Sequence, residues 1–391
     1  MTALRRGLQT LLVAWAVGHA AAPDSSRLSD FVTAKGYVKV LQITVGQGLH
    51  DPWAVFGLLH NRFDVTVLPN GPFSITAGMR NLLLYGDTAA GGAGPAQLTA
   101  VTPGFFGLNR TFSSGPSYRL TSELDRLYAQ YASDRFQARA GRARVNWGMN
   151  LVWNPNDVFN PSSYLDFDYE EKQGTDGASV TWYPAATSQV SAVYEAGDSL
   201  AAMGGAALAR WNVWNYDMQV LAGVVKSDGC AGLGWSGQIG GGAFRGELTY
   251  FRPVLDKAGR RESVAASVSG DYTFPHNVYA QGSALYNSAG SSKKRDTYAA
   301  IPMDGPLAKH LSPAALTLFG ECADQITPLV HLDAFAMANP IDGSGVAGPS
   351  VTFSITDNID LDLVCQGFFG ERNTAFGGYG TVAVIRGKWS F

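Results

Sequence analysis

Gly-Tyr-Gly-Thr-Val-Ala-Val-Ile-Arg-Gly-Lys-Trp-Ser-Phe, residues 378–391, closes the chain. Counting back from Phe391, Trp389, Gly387, Ile385 and Ala383 are apolar or small, while Ser390, Lys388 and Arg386 between them are polar. Successive side chains of a strand point to opposite faces, so this strand is greasy on one side and wet on the other. That alternation, ending on an aromatic residue, is the pattern of the last strand of a bacterial outer-membrane β-barrel, with lipid on the apolar face and the lumen on the polar one. On this reading Trp389 and Phe391 carry the signal met by the β-barrel assembly machinery.

The front of the chain points the same way. Arg5 and Arg6 precede an apolar run over residues 7–17, the charge and length expected of a secretory signal peptide. Cleavage is expected after Ala20, because a cut after Ala22 would place Pro23 behind the scissile bond. A single anchoring helix fits less well, since the run is too short for a hydrocarbon core of about 30 Å. No other run of about 18 apolar residues occurs, so any membrane is crossed by strands.

Composition narrows the class further. Glycine accounts for 46 of 391 residues and aromatics for 12 %, while charged residues reach 16 %, below the roughly 25 % of soluble domains. A mean hydropathy of −0.02 without apolar blocks means that grease is dispersed by alternation. Without Arg5 and Arg6 the 29 basic residues become 27 against 32 acidic, a net of −5. That balance disfavours nucleic acid as a partner. Cys230, Cys322 and Cys365 show no spaced motif, which disfavours a disulfide framework or thiolate-bound metal.

Alternating segments separated by turn residues predict strands at 35–45, 55–68, 73–85, 119–132, 136–146, 178–183, 189–196, 206–212, 216–226, 233–240, 244–252, 262–274, 278–287, 316–323, 328–338, 350–356, 360–370 and 379–391. The fold class is therefore all-β, a transmembrane antiparallel up-and-down barrel of about 18 strands. Sixteen stays open, because residues 198–242 are poorly punctuated. Long connections (87–116, 147–177, 288–313) follow odd-numbered strands and short ones follow even-numbered strands. Short periplasmic turns against long external loops give that asymmetry and place both termini in the periplasm. The expected domains are a signal peptide at 1–20, a short periplasmic segment at 21–34 and the barrel at 35–391, with no plug domain. A soluble sandwich or propeller is the rival, but no blade-length repeat appears.

Parity assigns the lumen face. Arg62 and Arg80 fall there on adjacent strands, with Arg119, Glu123 and Asp125 on the fourth and Arg142 and Arg144 on the fifth. Arg139 differs in parity from Arg142 and Arg144, so a bulge or a rim position is needed. Asn61 is a polar exception on the outward face of the second strand. The arginine–carboxylate wall has two readings: a transverse field that filters charged solutes, with anion preference, or ion pairs that hold the wall and fill the lumen.

Residues 146–161 read Asn-Trp-Gly-Met-Asn-Leu-Val-Trp-Asn-Pro-Asn-Asp-Val-Phe-Asn-Pro. An external loop of such apolar and aromatic character is expected to fold into the barrel and narrow it, with Trp147, Trp153, Asn154 and Asp157 at the constriction. Beyond it, Asp166, Asp168, Glu170 and Glu171 form an oxygen-rich run that suits Ca²⁺, or a solvated loop, or partners for the arginines. No other cofactor is expected.

The block Gly141-Arg142-Ala143-Arg144-Val145-Asn146-Trp147-Gly148, running into Asn154-Pro155-Asn156-Asp157-Val158-Phe159-Asn160, resembles porin-like outer-membrane proteins of Bacteroidota and Chlorobiota. His60-Asn61-Arg62 and Arg80-Asn81 are similar to that group too. The resemblance covers about a tenth of the chain and implies a porin-like barrel in the outer membrane, with no substrate.

Three decoys are set aside. Gly232-Leu233-Gly234-Trp235-Ser236-Gly237 fits G-x-G-x-x-G but lacks the strand–helix setting that a dinucleotide needs. The histidines have no metalloprotease spacing. His331 with Asp333, and His310 before Ser312, form no recognisable nucleophile motif, so no enzyme is expected. Two functions remain: a channel for passive diffusion of small hydrophilic, including anionic, solutes, or a structural or assembly barrel that holds a partner in a plugged lumen. The solute and the oligomeric state are not legible.

Overall fold

The computed structural model describes residues 31–47, 52–68, 72–86, 104–161, 174–255, 260–294 and 307–391. The expected signal peptide at 1–20 and the acidic run Asp166, Asp168, Glu170 and Glu171 lie outside them. The strands are β1 (Val32–Gly46), β2 (Ala54–Val67), β3 (Phe73–Gly86), β4 (Asn109–Gly115), β5 (Tyr118–Ala132), β6 (Phe136–Ala143), β7 (Thr175–Ala185), β8 (Ser188–Glu195), β9 (Gly204–Val213) and β10 (Tyr216–Val225). They continue with β11 (Asp228–Ile239), β12 (Gly242–Pro253), β13 (Ser263–Thr273), β14 (Tyr279–Asn287), β15 (Leu316–Thr327), β16 (Val330–Asn339), β17 (Ser344–Thr356), β18 (Ile359–Phe369) and β19 (Thr381–Ser390).

Consecutive strands pair antiparallel, except that β3 pairs with β5 rather than β4, and β1 pairs with both β2 and β19, the latter from Tyr37↔Ser390 to Gly46↔Thr381. The sheet is therefore closed and has no long free edge. Eighteen strands are staves of this barrel. The nineteenth, β4, pairs only with the upper half of β5, while β6 pairs with its lower half. One stave is thus composite: β6 ends at Ala143, where the chain leaves the wall, and β4 fills the place above it. At about 4.8 Å between strands and a tilt of about 40°, eighteen staves give a backbone diameter of roughly 36 Å.

Alternation divides the two faces as the sequence suggests. On β19, Ile385 and Trp389 are exposed, while Val384 is buried and Arg386 bonds Asp362 of β18. Lys39, Leu41 and Ile43 alternate with exposed Val40 in the same way on β1. Exposed aromatics gather at both ends of the staves: Phe73, Phe136, Trp182, Trp389 and Phe391 at one, Tyr85, Tyr194, Tyr286 and Phe369 at the other. Several rings lie across outward glycines. Phe391 covers Gly36 and Tyr85 covers Gly57, so a Cβ at either glycine would meet the ring within 2.9 Å. Large rings over bare backbone restore the apolar cover that glycine lacks.

The structure corrects several boundaries. The barrel starts at Val32, three residues before the expected Lys35. The fifth expected strand, 136–146, stops at Ala143, and β4 lies within the expected long connection 87–116. β11 begins at Asp228 rather than 233, because the preceding turn is carried by Lys226 and Ser227 at φ 48° and 71°. Such a turn normally uses Asn or Gly, so the residues give no sign of it. β17 begins at Ser344 rather than 350, running through Pro349, which pairs with Ala334 of β16.

Candidate functional site

The charged wall spans β2, β3, β5, β6 and β7. Arg62 donates to Asp64 at 2.8 Å and to Asp125 at 2.6 Å. Arg80 meets Glu123 at 3.2 Å, and Arg142 lies 3.9 Å from the same carboxylate. Arg142 also grips Asp176 through Nε at 2.5 Å and Nη2 at 2.7 Å, and donates to the Leu124 carbonyl at 3.1 Å. Arg126 stands 3.6 Å from Asp125. Four guanidinium groups therefore meet four carboxylates, Asp64, Glu123, Asp125 and Asp176, and no surplus positive charge remains in this network. Asp64 and Asp176 bring this network into balance, while Arg119, Arg139 and Arg144 of the same wall stand outside it. Removing one member of such a buried set costs about 3–5 kcal/mol, because its partner stays desolvated and unpaired.

Two backbone irregularities build this wall. The β3–β5 register shifts between Gly78 and Met79, so Asp125 is an extra residue on β5, and its carboxylate takes Arg62 and Arg126 while Glu123 takes Arg80 and Arg142. Gly141, at φ +120°, sits between Arg139 and Arg142. A Cβ there would stand 2.2 Å from the Leu127 carbonyl. This left-handed residue resolves the parity conflict, since Arg139 bonds Gln130 at 2.7 Å while Arg142 joins the ion pairs. Arg119 shares the face of Thr121 and Glu123 but is only half-buried and joins none of these pairs. Arg144 is half-buried with its Nε unpartnered.

Residues 144–161 form the second part of the site. The segment is rooted where β6 and β7 meet: Asn160 Oδ1 accepts from the Val145 amide at 2.9 Å and from the Thr175 hydroxyl at 3.0 Å. From there its contacts move along β10 to β15. Gln219 donates to the Trp147 carbonyl at 2.9 Å. Asn156 donates to the Leu233 carbonyl at 3.0 Å and accepts from Thr249 at 2.7 Å. Asn150 donates to Ser267 and accepts from Ser269. Glu247, 1 % exposed, accepts from three amides of the segment: Met149, Asn150 at 3.0 Å and Asn156 at 2.8 Å.

Apolar packing completes the attachment. Trp147, Val158 and Phe159 share a core with Val193, Leu208, Leu221 and Phe251. Trp153 packs against Phe319 of β15, ring centroids 6.3 Å apart, and Phe335, Met337 and Val346 extend that core. Trp147 and Trp153 were expected at the constriction as lining residues, but they are 4 % and 2 % exposed and bond the segment to the wall. Asn154 and Asp157 act inside the segment: Asn154 Oδ1 accepts from the Asn150 amide at 2.9 Å, and Asp157 Oδ1 from that of Trp147 at 3.4 Å. The wall side chains touched all belong to the face opposite the exposed one; Val220, Leu233, Leu248, Val268 and Leu318, next to them in sequence, are exposed.

The sequence reading missed Glu247, Gln219 and the serines of β13. They are isolated polar residues on otherwise ordinary alternating strands, and only the arrival of the segment gives them a role. No group of three metal-ligating side chains occurs among the described residues. Ser312 shares its hydroxyl with Thr317 at 2.6 Å and Asp333 accepts from Ser350 at 3.3 Å.

The described residues thus define a class: a closed antiparallel barrel of eighteen staves, apolar outside and charged within. Solved structures of that architecture match the chain over nearly its whole length. OccAB3 of Acinetobacter baumannii is 8 % identical with a TM-score of 0.60, over 92 % of this chain and 99 % of that one. OccAB2 of the same organism is 10 % identical with a TM-score of 0.60, over 93 % and 98 %. The outer membrane protein OprD from Pseudomonas aeruginosa is 7 % identical with a TM-score of 0.58, over 92 % and 93 %. At these identities the likeness is one of fold. No family model and no curated protein matches the chain.

Proposed function

We propose that the chain is a bacterial outer-membrane channel for passive diffusion of small hydrophilic solutes, narrowed by residues 144–161 crossing its lumen. The observation that carries this reading is the reach of that segment. It leaves the wall at β6, and Trp153 packs on β15, nine staves away in a barrel of eighteen. The eight steps from Val145 to Trp153 extend at most about 27 Å. With the indole added, that is the length needed to cross a bore of this width. Exposed apolar bands between two aromatic rows support insertion in a membrane, and the OprD likeness supports the outer membrane. The resemblance of residues 141–160 to porin-like proteins agrees.

The balanced ion pairs favour the structural reading of the charged wall, so anion preference is not part of the proposal. The test is swelling of liposomes containing the refolded protein in sugars of graded size. Uptake that falls steeply with solute size is the expected result. Liposomes that stay impermeable to the smallest sugar would favour the alternative, a barrel that holds a partner in a plugged lumen.

A further inference from the structure

The outward face is not uniformly apolar. From β6 to β14 the outward positions between the aromatic rows are Ala, Val, Leu, Met or Gly, as Val220 and Val268 illustrate. On β2, β3 and β5 the pattern breaks at one register. Asn61 pairs with Asn81, and Asn81 with Ser122. These three alternate with buried His60, Arg62, Arg80, Leu82, Thr121 and Glu123, and they share a face with exposed Phe63 and Met79. They therefore point outward. Ser122 donates to Asn81 Oδ1 at 2.6 Å, Asn81 donates to Asn61 Oδ1 at 3.2 Å, and Asn61 donates to the Tyr37 carbonyl at 3.3 Å.

The row lies at membrane depth. Asn81 is eight residues from Phe73 and four from Tyr85, the aromatics near either end of β3. At about 3.3 Å per residue and a tilt of about 40°, it stands roughly 20 Å from one aromatic row and 10 Å from the other. Acyl chains offer no hydrogen bonds, and a polar group left unpaired in hydrocarbon is costly. Each amide here has spent one of its two N–H bonds, and the Ser122 oxygen still has room to accept. The row is neutral and holds both donors and acceptors, so it complements itself.

We propose that this amide row is the contact by which two copies of this chain associate in the membrane, as a two-fold pair with the Asn81 residues facing each other. A two-fold axis along the membrane normal brings the same depth of both barrels together. Spare amide N–H groups of one barrel then reach the amide and hydroxyl oxygens of the other, the way polar side chains join spans in lipid. A charged partner is disfavoured by the neutrality of the row, and a lipid headgroup by its depth. The inference goes beyond the channel reading and rests only on the outward face meeting lipid.

The test uses full-length protein in mild detergent and in lipid nanodiscs, read by light scattering. Native protein is expected at twice the mass of one barrel. The variant Asn61→Leu, Asn81→Leu, Ser122→Ala is expected at the mass of one, with folding verified by heat-modifiable mobility. Single-barrel mass for the native protein, or two-barrel mass retained in the folded variant, would overturn the inference. A second arm keeps the native row. Met79→Cys, with Cys322 and Cys365 replaced by Ser, is expected to cross-link two chains through residue 79. Absence of that product, with the thiol reactive, would also overturn it.

Discussion

Glu247 is where the proposed lumen segment is most open to attack. Its two carboxylate oxygens accept from the amides of Met149, Asn150 and Asn156, three donors that the wall does not otherwise satisfy. Hydrogen bonds to a charged acceptor contribute about 1.5–3 kcal/mol each, and neutral ones about 0.5–1.5. In Glu247→Gln one carbonyl oxygen keeps its donors as neutral bonds, while the new NH₂ group faces an amide N–H. The net cost to docking is then about 2–4 kcal/mol. Since 1.4 kcal/mol is tenfold, the ratio of undocked to docked segment rises roughly thirty- to several-hundredfold. The strand ladder is untouched, so the barrel melts within a few degrees of the native protein. Single-channel recording at fixed voltage would show more frequent excursions to a higher-conductance level. Two results would refute the reasoning: a trace indistinguishable from native, or failure of the barrel to form, which would make Glu247 a support of the wall.

Other consequences follow from the same contacts. Asp125→Asn leaves the ion-pair network with one excess positive charge, so reversal potentials in a salt gradient should move towards anions; Arg80→Gln should move them towards cations. Gly141→Ala forces a Cβ to 2.2 Å from the Leu127 carbonyl and should destabilise the barrel by about 2–3 kcal/mol, visible as a lower denaturation midpoint. Phe391→Ala uncovers Gly36 but keeps the two backbone bonds between them, each 2.9 Å. Refolded stability should fall by only about 1–2 kcal/mol, measured by urea titration, while assembly in cells drops more.

One loop should respond to acid. His310 is held below its ordinary value of 6.5, first by burial and then by Lys309 and Arg260, with Asp228 opposing. The folded loop thus prefers the neutral imidazole. Its contribution is complete above the unfolded value and is lost as pH falls from about 6.5 towards the folded one. Trypsin cleavage in this region should rise over that range, and His310→Asn should flatten the response.

Much of the architecture was readable because the physics is local. Apolar and polar residues alternate at period two along the staves, so all eighteen are legible, with ends displaced. What escaped depended on the backbone rather than on side-chain pattern. Lys226 and Ser227 make a left-handed turn without glycine, and β4 is a seven-residue strand paired on one side only. In the candidate site, Arg62, Arg80, Glu123, Asp125 and Arg142 were legible by parity. Asp176 was not placed among them, since it lies at the far end of a long connection. Glu247 looks like one lumen carboxylate among several until residues 149–156 arrive on it. The Asn61 exception was visible in the sequence, but its continuation through Asn81 and Ser122 needed the register.

The central claim is an open bore narrowed from within, and conductance in a planar bilayer addresses it most directly. Purified protein at 1 M KCl should insert in discrete steps of uniform size, and these should grow when residues 149–156 are replaced by a short Gly-Ser link. Folded barrels that insert without conducting would contradict the account.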